Sequence, residues 1–363
     1  MNRIARFAVL AVVALAACGR DAPAPAPEAT AQPPAPAAKP RYEVAWSHYT
    51  GWEPWGYADH AGILKKWADK NGIEIGLTLV NDYVESINLY TAGKYHAVVM
   101  TNMDALTIPA VGGIDSQAII IGDYSNGNDG IVMKNGASVA DLKGRSINLV
   151  ELSVSHYVLA RALDMNGMTE QDVKLVNTSD ADIASLFTAD SNGAAVTWNP
   201  PLMQARAAPG ANLVFDSSKI PGEILDLMVV KTDAPDSLKN ALTGAWYETL
   251  AVVQGQGPAT DAALDFMAKA SGATVDEFKA QLGTTAMYYT PAEGAAFAKS
   301  PEVGATMDKV RKFSFDKGLF GAGATSVDAV GIELDDGSVL GNKDNVKLRF
   351  TARYMQAAAE SKL

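Results

Sequence analysis

Between residues 41 and 231, short apolar runs alternate with stretches of helical periodicity. No other feature restricts the fold as strongly. Strand-like runs at 41–47, 73–80, 95–101 and 116–123 are separated by helical candidates at 57–70, 83–92 and 103–111. Tyr57, Ala61, Leu64 and Ala68 share one face of the first of these. A second series starts near Gly130. Runs at 131–134, 146–150, 173–176, 194–197 and 213–215 interleave with helical stretches at 139–142, 155–166 and 181–189. Gly93 and Gly167 close two of the helices. Such alternation predicts an α/β fold with mainly parallel sheets and helices on both faces. Ligands of such sheets gather at the carboxyl ends of strands. The chain leaves the second series through Val229-Val230-Lys231. The remainder reads as largely helical, at 237–254, 260–270, 275–282, 291–299 and 301–317.

The segment before residue 41 has a different character. Residues 1–18 carry Arg3 and Arg6, an apolar run from Phe7 to Ala17, and a small-residue site ending in Leu15-Ala16-Ala17-Cys18. That three-part layout is a secretory leader, and its core is too short to span a bilayer. Leu-Ala-Ala-Cys resembles the bacterial lipobox, which implies that Cys18 becomes the first mature residue and receives a lipid. Residues 19–40 are dominated by Ala and Pro, with no aromatic and no large aliphatic residue. They cannot bury a core and are expected to form a disordered tether. A soluble, extracytoplasmic body anchored to a membrane by lipid follows from this reading.

Composition removes several kinds of chemistry. Cys18 is the only cysteine, so the body can have no disulfide, thiolate nucleophile or cysteine metal site. The four histidines, His48, His60, His96 and His156, show no metal-ligand spacing. The net charge of −11 argues against nucleic acid and against anionic lipid headgroups as partners. No Gly-rich phosphate loop and no Gly-x-Ser-x-Gly motif occurs, so no cofactor and no enzymatic activity are expected. About 320 residues follow the tether, enough for two lobes. The expected division is 41–127 with 230–363 as lobe 1, and 128–229 as lobe 2.

Several stretches, in order, resemble the solute-binding proteins of bacterial ABC transporters, in the nitrate/sulfonate/taurine and thiamine-precursor branch. They are Asp141-Leu142-Lys143-Gly144-Arg145, the run from Ser153 to Leu163, the run from Asn177 to Asp182, Thr197-Trp198-Asn199-Pro200, and Val229-Val230-Lys231 through Ala234-Pro235-Asp236. A narrower resemblance, to the binding proteins associated with urea carboxylase transport systems, rests on the runs 49–57, 101–106, 125–130, 313–321 and 326–331. The resemblance implies a two-lobed, hinged periplasmic binding protein fold of type II. It also implies a small-molecule ligand rich in nitrogen, guanidinium-like or urea, and an ABC permease in the inner membrane as partner. Nitrate, taurine or another sulfonate is the alternative within the same fold; a sensor or an enzyme using the same pocket is a further one. The thiamine-pyrimidine synthase of this fold uses a cysteine-rich motif that the chain lacks.

The candidate ligand-binding residues follow from strand ends and from ligand chemistry. Trp52 and Trp55 crowd a loop with Glu53 and Tyr57; the rings either stack on a flat cation or pack beneath the loop. Asn102 and Asp104 open a helix after a strand, where Asp104 either caps the helix or accepts ligand N–H groups. Asp82 has the same two options. Glu151 stands at a strand-to-helix turn where, in relatives that take anions, the helix N-terminus supplies N–H groups; a carboxylate there would repel an anion. Ser153 and Ser155 share that turn. Asp180 and Asp182 begin another helix, one of them as a cap. Trp198 and Asn199 end a strand before Pro200-Pro201, which biases the chain away from helix. His156 reads as structural.

Overall fold

The computed structural model describes residues 38–321 and 324–363, and its strands form two sheets. The leader, most of the tether and Cys18 lie outside the described residues. The strands are β1 (Arg41–Trp46), β2 (Glu74–Leu79), β3 (Ala97–Thr101), β4 (Ser116–Ser125), β5 (Asp129–Lys134), β6 (Ser146–Leu149), β7 (Lys174–Asn177), β8 (Ala194–Trp198), β9 (Ala211–Asp216), β10 (Leu225–Lys231), β11 (Thr285–Met287), β12 (Gly331–Glu333), β13 (Val339–Gly341) and β14 (Val346–Phe350). The larger sheet runs β13-β12-β14-β4-β10-β3-β1-β2, with β11 also on β4; the smaller runs β7-β6-β8-β5-β9.

The two sheets repeat one plan. Each contains a set of mutually parallel strands, six in the larger sheet and four in the smaller, interrupted by one antiparallel strand that comes from the other sheet; the larger also carries β11 and β13 antiparallel at its margin. In the larger sheet the interrupting strand is β10, which pairs antiparallel with β3 and β4. In the smaller it is β5, antiparallel to β8 and β9. Each of these strands follows directly on a passage from the other sheet, through 126–128 into β5 and through 217–224 into β10. Most strands of each sheet run parallel, as expected, and the sheets are mixed because a strand that has just crossed from the other sheet enters from the side where the parallel strands end. The expected junction at 229/230 lies inside β10, all seven residues of which are in the larger sheet.

Local chemistry accounts for other departures. The expected helix 57–70 is two helices, Glu53–His60 and Ile63–Lys70, separated at Gly62, whose φ of 72° breaks the first. Pro200-Pro201 does not exclude helix: Pro201 opens the helix Pro201–Arg206, at the one turn where a missing N–H is harmless. The C-terminal part is not helical throughout. β11 to β14 are three to five residues long, too short to show a period of two in sequence, and they extend the larger sheet.

One buried apolar cluster runs through both sheets and their helices, from Val44 to Met355. Lys39–Leu363 accordingly forms one compact unit. The passage 217–224 is pinned by Glu223, only 4 % exposed. Its carboxylate accepts hydrogen bonds from Tyr157 Oη (2.7 Å) and Arg161 Nε (2.9 Å), and from Lys309 Nζ (3.1 Å). Burial pushes this carboxyl up, but the hydrogen bonds from Arg161 and Tyr157 and the Arg161 charge outweigh it and hold the pKa below the usual value. Asn102 fixes the end of the passage: its Nδ2 donates to the Glu223 carbonyl and its Oδ1 accepts from Leu225 N.

Replacing Glu223 with Ala leaves the half-buried Arg161 guanidinium and the buried Tyr157 phenol without their partner. Urea denaturation should show a loss of about 3 kcal/mol or more for Glu223→Ala. Lys309→Ala, which removes a mostly exposed partner, should cost about 0–1 kcal/mol. Equal losses would contradict this account of the passage.

Candidate functional site

The ends of the parallel strands and the starts of β5 and β10 meet at the seam between the sheets. Strand register sets the composition there. Asp226 on β10 lies opposite Thr101 on one side and Asp123 on the other. Asp129, the first residue of β5, lies opposite Trp198, the last of β8. The loop after β1 adds Tyr49 and Trp52, and the helix Tyr83–Thr91 adds Tyr83.

These groups enclose a small cavity lined by Tyr49, Trp52, Tyr83, Thr101 and Asp226 from the larger sheet's side and by Asp129, Val154 and Trp198 from the smaller's. It contains about 220 Å³ of space between atoms, of which about 10 Å³ can hold the centre of a water-sized molecule. None of its lining residues is more than 4 % exposed. The rings form a chain: Tyr49 to Trp52 at 4.9 Å, Trp52 to Tyr83 at 5.5 Å, and Tyr83 edge-on to Trp198 at 5.3 Å. Gly51 allows this closeness. A Cβ there would stand 2.4 Å from the Tyr49 ring and 2.6 Å from Asp123 Oδ2.

Four carboxyls surround the cavity, and no Lys, Arg or His lines it. Asp129 and Asp226 are in its wall; Asp104 and Asp123 stand behind, bonded to the wall's tyrosines. Asp104 Oδ2 accepts from Tyr83 Oη (2.6 Å), Thr101 Oγ1 (2.9 Å) and Val154 N (3.3 Å). Asp123 Oδ1 accepts from Tyr49 Oη (3.0 Å), and Asp129 Oδ2 from Ser125 Oγ (2.6 Å). The remaining oxygens Asp104 Oδ1, Asp123 Oδ2 and Asp226 Oδ2 are buried without a protein partner.

Burial, against those donors, pushes Asp104 up to about 6. Burial and the neighbouring charges push Asp123 and Asp129 up to about 7 (the charge of Asp129 acting on Asp123, that of Asp104 on Asp129). Burial and then the charge of Asp123 push Asp226 well above the carboxylate range. A cation placed among them reverses this: at 4 Å, each carboxylate attracts it by about 4 kcal/mol at an effective dielectric of 20. Among the described residues, no group of three or more His, Cys, Asp or Glu is placed to hold a metal ion.

Three of the residues expected from sequence are brought together here: Trp52 and Trp198 in the wall and Asp104 behind it. Trp198 is held across the seam by its Nε1, which donates to the His48 carbonyl (3.0 Å). The others do not line the cavity. Trp55 stacks on Trp246 at 5.0 Å in the core, the alternative role considered for it. Glu53 is buried against His48 Nδ1 (2.7 Å). Asp82 caps its helix through Glu85 N and accepts from Ser179 Oγ. Asn102 is consumed by the passage into β10. Ser153 caps the helix Val154–Met165, its Oγ accepting from Ser155 N. At Glu151 it is the backbone N–H that is bound, by Asn177 Oδ1.

Asp180 lies on a separate open cleft with His48, Asn81, Pro200, Gln204 and Ser271. Its Oδ1 accepts from Tyr83 N (3.1 Å), and burial pushes its pKa up to about 6. Asn199 Nδ2 reaches Thr284 Oγ1 (3.4 Å) outside the cavity. Sequence reasoning missed Tyr49, Tyr83, Thr101, Asp123, Asp129, Val154 and Asp226. For the acids among them the one visible oddity was a charge beside apolar residues, as in Leu225-Asp226-Leu227, which does not by itself say where the strand begins.

The family model described as NMT1/THI5 like matches residues 59–234. Comparison with the curated proteins gives no match. Among solved structures, the chain is similar to the alkanesulfonate-binding protein SsuA from Xanthomonas axonopodis pv. citri bound to MOPS: TM-score 0.64, 15% identity, 78% of this chain and 96% of that one. It is similar to the periplasmic aliphatic sulphonate binding protein SsuA from Escherichia coli, with TM-score 0.61, 16% identity and coverage of 78% and 94%. It is also similar to the periplasmic nitrate-binding protein NrtA from Synechocystis PCC 6803, with TM-score 0.56, 11% identity and coverage of 90% and 99%. Two mixed sheets, each with one strand received from the other side, and these likenesses together identify the architecture as the α/β two-sheet fold of the periplasmic binding proteins.

Proposed function

We propose that the protein is the extracytoplasmic, lipid-anchored solute-binding component of an ABC importer and that it captures guanidinium. It delivers a solute and catalyses nothing. The observation that carries this reading is the cluster Asp104, Asp123, Asp129 and Asp226 around a closed, ring-lined cavity without a basic side chain. A flat cation with N–H donors on every edge suits it: carboxylates accept the edges and aromatic faces cover the plane. The wall comes from both sheets, so a ligand enters only when two halves part about 126–128 and 217–224. Contacts from both halves then favour the closed form.

The anions bound by SsuA and NrtA fit this cavity poorly. Four acids oppose them, and the first N–H of the helix Val154–Met165, at the end that would attract an anion, already holds Asp104. Urea is the second reading. It is favoured by Trp52 Nε1, a buried donor without a partner that a carbonyl oxygen could satisfy.

The raised carboxyl pKa values fix the sign of two pH effects. A carboxyl that holds its proton more tightly when folded lends stability at low pH, and this is lost as pH rises from about 4 through 6 and 7. The unliganded protein should therefore melt at a lower temperature at pH 7.5 than at pH 5. Millimolar guanidinium should raise the melting temperature more at pH 7.5 than at pH 5, and calorimetry in buffers of different ionisation enthalpy should show proton release on binding. A rise no greater than that from sodium chloride at equal ionic strength would refute the cation reading.

Asp226→Asn should weaken guanidinium binding about 100-fold or more while raising the unliganded melting temperature at pH 7.5. Trp55→Ala should cost about 3–5 kcal/mol of stability with little change in Kd. Trp52→Ala should instead weaken binding at least tenfold. The opposite pattern for the two tryptophans would return Trp55 to the site.

A further inference from the structure

Resting on that reading, we propose that the site accepts only the unsubstituted ion, and that Val154 and Trp198 are the walls that reject N-alkylated guanidines. The room for a water-sized centre is about 10 Å³, close to one such molecule. A flat ion of four heavy atoms is larger than one water and already presses on every wall. Its three amino groups point outward in one plane, so a substituent on any of them must enter the surrounding wall.

That wall has no slack. Val154 is 2 % exposed, and its backbone N–H is tied to Asp104 Oδ2 at 3.3 Å. Trp198 is 3 % exposed, fixed edge-on to Tyr83 at 5.3 Å and by its Nε1 to the His48 carbonyl at 3.0 Å. On the other side, Tyr49 and Asp123 pack so closely on Gly51 that even a Cβ there would stand 2.4 Å from the Tyr49 ring and 2.6 Å from Asp123 Oδ2. An added methyl must also replace an N–H donor, leaving a buried carboxylate oxygen unpaired. Both effects act against alkylation, and a chain as long as that of agmatine would have to pass through a closed wall.

Calorimetric titration of the purified protein with the chlorides of guanidinium, N-methylguanidinium and agmatine tests this. N-methylguanidinium should bind about 10- to 200-fold more weakly than guanidinium, and agmatine should give no binding heat. In Val154→Ala, the ratio of the two affinities should fall at least threefold, whatever happens to each alone; a merely structural role for Val154 would shift both equally. Comparable binding of guanidinium and N-methylguanidinium by the unaltered protein would overturn the size limit and leave the proposed function standing. So would an unchanged ratio in Val154→Ala, as far as Val154 is concerned, with Trp198→Phe measured in the same way for the second wall. Absence of guanidinium binding would overturn both readings.

Discussion

Four carboxyls are buried at one seam with no basic side chain in the cavity wall. Charges taken out of water cost several kcal/mol each unless something compensates. The surrounding structure supplies only part of that compensation, through the hydroxyls of Tyr49, Tyr83, Thr101 and Ser125 and the N–H of Val154. Thr101 and Ser125 are at strand ends, Tyr83 and Val154 at helix starts, and Tyr49 in the loop after β1. The seam is thus held together by uncharged donors and left poised between protonated and ionised states. Buried acids with unpaired oxygens weaken a fold, and such strain persists where function requires it.

The topology makes this arrangement possible. In an all-parallel sheet, only carboxyl ends of strands face the crevice. Here each sheet receives one antiparallel strand from the other, so strand starts face it as well. Asp226 and Asp129 are at those starts, and Thr101, Asp123 and Trp198 are at or near the ends. The two strand starts add their own first residues to the strand ends that direct polar groups into one small volume. The passages 126–128 and 217–224 therefore do two things. They connect the halves, and they deliver an aspartate immediately afterwards.

Much of the fold was legible because helices and parallel strands announce themselves by period and by caps. Asp82, Thr101 and Ser153 all stand where a helix begins. Trp52, Asp104 and Trp198 were legible for the same reason, since each follows or ends a strand. Asp129 and Asp226 were not. Within Asn128-Asp129-Gly130 and Leu225-Asp226-Leu227, nothing local distinguishes the start of an antiparallel strand from the interior of a parallel one. Their role depends on pairing with residues far along the chain, Asp129 with Trp198 and Asp226 with Asp123 and Thr101. Glu151 shows the converse error. Its position at a strand-to-helix turn suggested a ligand contact, but the carboxylate bonded to that helix's first N–H is Asp104, from the helix Asn102–Ala105 that follows β3.

That last substitution of one carboxylate for another bears on how a single fold serves opposite charges. A helix N-terminus attracts anions through unpaired N–H groups and the helix dipole. In this chain the first such group of Val154–Met165 is occupied by an acid belonging to the protein itself. The positive end of the dipole is thereby spent on holding Asp104, and what faces the cavity is negative. On the proposed reading, a reversal of preference would need no change in strand order, helix position or sheet pairing. An aspartate bonded to that N–H and others grouped around the cavity would suffice, so similarity of fold to sulfonate- and nitrate-binding proteins carries little information about the sign of the ligand's charge.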